Sequence, residues 1–229
     1  MDTPQPRLNK YLAEKLGLSR RRIDEMIERG RITVNGQPAA LGARLSATSQ
    51  LAVDGQVVTI GAAIPYAYLL FNKPTGYVCS RRQQGETPTI YSLLPDEYHQ
   101  LKPVGRLDKD SSGLILLTND GDFAHRMTHP SFHKVKIYTV TLDRPLEPLH
   151  RQMISDHGIT LPDGASSFMI EKLDQPNRYQ ITMHEGRNRQ IRRTFAALGY
   201  DVTHLHRTTF GPYLLGELKA GAFRAVTKN

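Results

Sequence analysis

Near its start the chain spaces its apolar residues at helical intervals. Leu8, Leu12 and Leu16 make one stripe, closed by Gly17-Leu18, and Ile23, Met26 and Ile27 make a second. Recurrence at i, i+3 and i+4 marks helices that bury one face. Ser19 is placed to cap the second helix, Arg20 to Arg29, and Gly30 to close it: a serine oxygen accepts a free N–H at a helix start, and glycine tolerates the left-handed turn at its end. The period then shortens. Arg31-Ile-Thr-Val-Asn35-Gly36 and Leu51-Ala-Val-Asp54-Gly55-Gln-Val-Val read as strands turning at Asn-Gly and Asp-Gly, the pairs that best accept the twist of a tight hairpin. Two helices followed by short strands predict a small α-β domain over residues 1–60, with Ile60 to Pro65 as its linker.

From Tyr66 the pattern changes. Ala67 to Asn72, Leu114 to Thr118, Lys136 to Leu142, Phe168 to Leu173 and Tyr179 to His184 read as strands. Asp122 to Thr128, Leu146 to Ile154 and Asn188 to Leu198 read as helices. The two types do not alternate strictly, which predicts an α+β domain over residues 66–229 with a mixed or antiparallel sheet and flanking helices.

Composition narrows the function. No apolar run approaches the roughly 20 residues that span a bilayer, Met1 to Pro6 has no apolar core of a signal peptide and reads as a frayed start, and Cys79 has no cysteine to pair with. A cytoplasmic protein with no membrane role is expected. The net charge is +8 and the pI about 9.6, which points to an acidic partner, most commonly nucleic acid. Placement sharpens this. Arg20, Arg21 and Arg22 crowd the first turn of the second helix, where the helix dipole already puts positive charge and each cation costs a few tenths of a kcal/mol. Beside free backbone N–H groups they make a phosphate site, which Arg29 and Arg31 extend. The competing reading is a solvated charge run. The stretch R-L-N-K-Y-L-A…S-R-R-R-I-D-E-M-I-E-R-G-R-I-T-V-N-G resembles the S-four-like RNA-binding domain, over roughly Arg7 to Val53; that domain implies RNA but no particular chemistry.

Two segments can carry chemistry. The first runs Gly105-Arg-Leu-Asp108-Lys-Asp110-Ser-Ser-Gly113 into the apolar Leu114 to Leu117 and an Asn-Asp-Gly turn. A calcium loop is excluded, because its twelfth position is Asn119 and the residues before it are apolar. Asp108 and Asp110 could pair as acid and base, but on an extended segment they would point opposite ways; a turn aspartate is the plain alternative. The second is Glu185-Gly-Arg187-Asn-Arg189-Gln-Ile-Arg192-Arg193. On a helix whose core face is Ile191, Phe195 and Leu198, Arg189 and Arg193 fall on the far face, free for phosphates, and Arg192 at the border, able to pair with a carboxylate. The histidines give no metal set, since Pro130 interrupts the spacing of His125, His129 and His133 and His204-x-His206 lacks company. Neither phosphate-loop motif is present, nor the G-x-S-x-G of a serine hydrolase.

Taken together, Asn72-Lys73-Pro74-x-Gly76, the G-R-L-D-x-x-[ST]-x-G-L segment, Lys136-x-Tyr138 and E-G-R-N-x-Q-I-R-R resemble the RsuA-type pseudouridine synthases, in that family's order along the chain. The resemblance implies a pseudouridine-synthase-like fold and the isomerisation of a uridine in ribosomal RNA, slightly favouring the large subunit. It assigns the catalytic aspartate to Asp108, the base-contacting tyrosine to Tyr138 and the aspartate's basic partner to Arg192. Arg106 matches the arginine that holds the target nucleotide out of its helix, and Arg187, Arg189 and Arg193 are expected on the RNA. No cofactor and no metal is required, and the partner is ribosomal RNA or a pre-ribosomal particle, bound by a monomer. The alternatives are a non-catalytic ribosomal-RNA-binding or assembly protein, for which a carboxylate at Asp108 has no use, and another RNA enzyme such as a methyltransferase, against which the missing cofactor loop weighs.

Overall fold

The structure is a computed structural model that describes residues 6–46, 48–59, 65–81, 83 and 85–228. The frayed start and the linker expected at Ile60–Pro65 lie outside these residues but for Pro6 and Pro65. The chain divides into two compact units, Met1–Tyr66 and Ala67–Asn229.

In the small unit α1 (Leu8–Leu16) and α2 (Arg20–Glu28) precede β1 (Ile32–Val34), β2 (Gln37–Pro38), β3 (Leu51–Val53) and β4 (Gln56–Val58), which pair in the order β2-β1-β3-β4. Local chemistry sets the ends. Ser19 Oγ accepts from the Arg22 N–H at 3.1 Å, Arg29 serves as the cap of α2, not its last residue, and Gly30 follows at φ +66°. Asn35 and Gly36, then Asp54 and Gly55, all turn with positive φ, as tight hairpins between right-twisted strands require. The predicted stripes meet as Leu8, Leu12, Ile23, Met26 and Ile27, which bury against Ile32, Leu45 and Leu51.

The large unit is α+β. Its strands are β5 (Tyr68–Lys73), β6 (Lys102–Val104), β7 (Ser112–Thr118), β8 (Lys136–Leu142), β9 (Ile159–Leu161), β10 (Gly164–Ser166), β11 (Met169–Lys172), β12 (Arg178–Met183), β13 (Val202–Phe210), β14 (Tyr213–Leu214) and β15 (Phe223–Ala225), with helices α3 (Gly121–Thr128), α4 (Pro148–Gln152) and α5 (Gln190–Ala196). β9 and β10 form a separate hairpin; the others make a mixed sheet ordered β11-β12-β8-β13-β7-β5-β15, with β14 on β13 and β6 on β7. The helix expected over Leu146–Ile154 stops at Gln152 and continues as a π-helical turn, Met153–His157. The one expected over Asn188–Leu198 begins two residues late, at Gln190.

Alternation along the strands separates two cores. Leu69, Phe71, Ile115, Leu117, Val140 and Ile181 face one side, with Ile191 and Phe195 of α5. Leu70, Leu114, Leu116, Phe123 and Met127 face the other. β7 is buried along its whole length, which is why it reads as a continuous apolar run. Its contact with β13 is parallel and short: Ser112 pairs with His206, and Gly113 with Arg207. Gly113 sits at φ +103°, and a Cβ there would lie 2.3 Å from the Arg207 carbonyl oxygen, so only glycine lets the two strands meet.

The turn after β7 locks the strand. Asp120 caps α3 through the N–H groups of Asp122 and Phe123 at 3.0 and 2.9 Å, and accepts from Tyr68 Oη at 2.8 Å and Lys228 Nζ at 2.7 Å. Burial opposes its charge, but these donors outweigh burial and hold its pKa down to about 2.

Candidate active site

Asp108 stands on the loop between β6 and β7, and the loop's shape comes from a lysine beneath it. Lys73, fully buried at the end of β5, donates from Nζ to the carbonyls of Pro74, Asp108 and Ser111 at 3.0, 3.0 and 2.7 Å. Its ammonium is pushed down by burial, which the nearby carboxylates of Asp108 and Asp110 oppose. The Gly76 N–H to Lys109 O and the Ser111 N–H to Asp108 O, at 2.8 and 3.1 Å, complete the turn. Because the segment turns, Asp108 and Asp110 do not point opposite ways. Both face Arg189, whose Nη1 lies 3.6 Å from Asp108 Oδ2 and 3.8 Å from Asp110 Oδ2.

This corrects the expected roles of two arginines. Arg192 is half-buried, but among the described residues it reaches no carboxylate: Nη1 donates to Val202 O at 2.6 Å and Nη2 to Asp110 O at 2.9 Å. It therefore ties the backbone of the Asp108 loop to the start of β13. Arg189 was expected on the far face of a helix; instead it precedes α5 in a left-handed conformation, φ +46°, which turns its side chain toward the loop. The cause is the late helix start, since helical spacing does not apply to Arg189.

Arg187 and Arg193 also fail to stand free. Arg193 grips both oxygens of Asp163 at 2.9 and 2.8 Å. Arg187 donates from Nη1 to Asp163 O and Gly164 O, and from Nη2 to Ala165 O, at 2.8, 3.0 and 2.7 Å. Together they fasten the β9–β10 hairpin to the start of α5. Gln190 joins in, donating to Ser166 Oγ and Glu185 Oε1 at 3.1 and 2.6 Å. Most of the Glu185-to-Arg193 motif is thus scaffold.

Asp108, Tyr138, Arg106, Arg187 and Arg189 line one cleft of about 910 Å³ in the large unit; Arg192 and Arg193 lie outside its lining. Asp108 keeps 32% of its side chain exposed. Tyr138, on β8, is buried in the floor. Arg106 is exposed at the mouth and makes no side-chain hydrogen bond or ion pair among the described residues. In the small unit the same holds for Arg20, Arg21 and Arg29, whereas Arg22 pairs with Glu25 at 2.8 Å and Arg31 bidentately with Asp54 at 2.6 Å.

Sequence reading missed Arg207. It lines the cleft and is 2% exposed, on a strand, β13, that was not foreseen at all. The available signal was the alternation of Leu205, Arg207 and Thr209, obscured because the middle position is charged.

The cleft thus brings together an aspartate on a clamped loop, a tyrosine in the floor and a set of cations. The chain belongs to the RNA pseudouridylate synthase family, whose model matches residues 67–197, and residues 6–51 match the S4 domain. It is 36% identical to a ribosomal small subunit pseudouridine synthase A of Yersinia pestis, over 96% of this chain and 94% of that one. A ribosomal large subunit pseudouridine synthase B of Bacillus subtilis is 34% identical, over 96% and 92%. A crystal structure of a pseudouridylate synthase superposes with a TM-score of 0.69 at 33% identity, covering 96% of both chains.

Proposed function

We propose that the chain isomerises a uridine of ribosomal RNA to pseudouridine, with Asp108 as the catalytic residue. The observation that carries the assignment is Asp108 itself: a carboxylate, open to the cleft, on a loop clamped from below by Lys73 and faced by Arg189. A mere RNA-binding surface gains nothing from a negative charge at that place. The relatives of both ribosomal subunits are similarly close, at 36% and 34% identity, so overall similarity does not choose the subunit.

The target nucleotide leaves its stack, at a cost of a few kcal/mol, and Arg106 at the mouth helps hold it out. Its base stacks on Tyr138. Asp108 then acts at the ribose, as nucleophile on C1′ or as base on the C2′ proton. Arg189 stands 3.6 Å from the Asp108 carboxylate, and Arg192 keeps the loop in place through Asp110 O. Arg20, Arg21 and Arg29 hold phosphates elsewhere on the RNA. The reaction exchanges one bond of uracil for another, with no redox change and no phosphate energy, and calls for no cofactor. The enzyme works as a monomer in the cytoplasm, on ribosomal RNA or a pre-ribosomal particle.

The test is Asp108→Asn, which keeps shape and removes charge. Product should vanish in single-turnover assays on ribosomal RNA, while RNA affinity changes by less than about tenfold. Turnover within tenfold of wild type would remove Asp108 from the role.

A further inference from the structure

The floor of the cleft carries more positive charge than the chemistry at Asp108 uses. Arg207 of β13 is the register partner of Tyr138 of β8, so the two side chains rise side by side from one face of the sheet. Arg207 Nε donates to Leu114 O at 2.7 Å, while Nη2 is buried without a hydrogen-bond partner. Its guanidinium carbon stands 4.7 Å from the centroid of the Phe210 ring and 6.0 Å from that of Tyr138. Among the described residues it forms no ion pair. Lys136, also buried and also lining the cleft, stands 5.6 Å over the same Phe210 ring. Burial, and then the charge of Arg207, bring its pKa down to about 8.

A buried cation without a counter-charge is unfavourable, and aromatic faces offset only part of that. No carboxylate among the described residues pairs with Arg207, but the reaction creates an anion at this spot. When C1′–N1 breaks, its electron pair stays on the uracil, spread over N1, O2 and O4. C1′ meanwhile bonds to Asp108, or C2′ loses its proton to it. The uracil turns and its C5 bonds to C1′ as the Asp108–C1′ bond breaks or as Asp108 returns the proton to C2′; C5 then loses its proton and N1 takes one up, so that no atom is gained or lost. We propose that Arg207 stabilises the departing uracil anion, as a fixed charge aimed at where negative charge develops. This rests on the reading of Tyr138 and Asp108 given above.

The test compares wild type with Arg207→Met and Arg207→Lys on ribosomal RNA transcribed with uridine or with 5-fluorouridine. Fluorine at C5 withdraws electrons and makes the ring a better leaving group, less in need of help. The readout is single-turnover loss of the target N-nucleoside at saturating RNA, with RNA affinity and thermal stability measured alongside. Arg207→Met should slow the uridine reaction by about 100-fold and the fluorinated one by clearly less, with affinity unchanged within about threefold and Arg207→Lys in between. A rate within threefold of wild type on uridine overturns the proposal. So does an equal loss on both RNAs, which marks a structural role, or a loss confined to affinity, which marks a phosphate contact. If Arg207→Met does not fold, Arg207→Lys carries the same two-RNA comparison. A wild type inactive on ribosomal RNA would instead overturn the reading of function, and is seen before any variant is made.

Discussion

In the small unit Arg20 and Arg21 on α2 and Arg29 at its cap stand exposed and without side-chain partners among the described residues. In the large unit Arg187, Arg192 and Arg193 donate to carbonyls and to Asp163. The residue type is the same and the wiring opposite. A free guanidinium on a short helix can take any phosphate that approaches. One held in a fork of carbonyls fixes the backbone around a reacting group, and its charge is already used. The count of arginines in a motif therefore says little about how many touch RNA.

Four experiments can break or sharpen this contrast. The largest effect is expected in the wired unit at Gly113, where a methyl group would meet the Arg207 backbone at 2.3 Å from a left-handed position. Gly113→Ala should cost on the order of 3 kcal/mol in denaturant unfolding and remove turnover; a variant as stable as wild type would show that the strands can part freely. Next comes Asp163→Ala, which releases Arg193 from its carboxylate and leaves Arg187 its main-chain carbonyls. It should destabilise the chain by about 1–2 kcal/mol and leave the salt dependence of RNA binding unaltered. A changed salt slope with unchanged melting would mean that these arginines read phosphate after all.

Replacing Arg20, Arg21 and Arg29 together by Gln should do the reverse. Stability should move by less than about 0.5 kcal/mol, while the slope of log K against log salt shrinks by about 3, at roughly 0.9 per contact if the duplex DNA value carries over. An intact slope would take this helix off the RNA. The smallest effect concerns acid. Because Asp120 has its pKa lowered to about 2 in the folded chain, its ionised form adds stability in full above about pH 4, the unfolded carboxyl range. That contribution fades as pH falls toward 2. Asp120→Asn should flatten the acid limb of a stability–pH curve between those values, and an unchanged limb would show that other carboxylates govern it.

Much of this was legible in the sequence, and the failures share a cause. The helices of the small unit, the Asn-Gly and Asp-Gly turns and β8 carry patterns set by neighbouring residues, so spacing reveals them. Asp108 and Tyr138 were identified by motif, and the structure brings both into one cleft. What escaped depends on partners far along the chain. β13 has a buried arginine where alternation asks for an apolar residue. The partners of Arg187, Arg192 and Arg193 include main-chain carbonyls, which no side-chain pattern displays. Arg189 went astray because a helix expected from Asn188 begins at Gln190, and a shift of this size redirects a side chain completely.

The short parallel contact between β7 and β13 has a kinetic meaning. It divides the sheet into β5, β6, β7 and β15 on one side and β8, β11, β12, β13 and β14 on the other, each half held by long antiparallel ladders. Asp108 leads into the first half, while Tyr138 and Arg207 belong to the second. Cooperative opening follows such lines of weak reinforcement, so amides along the seam should exchange with deuterium sooner than those of the ladders beside it. In folding, each half can form before the two dock. The reactive constellation then exists only after that last association, and a partial opening far short of unfolding would disperse it.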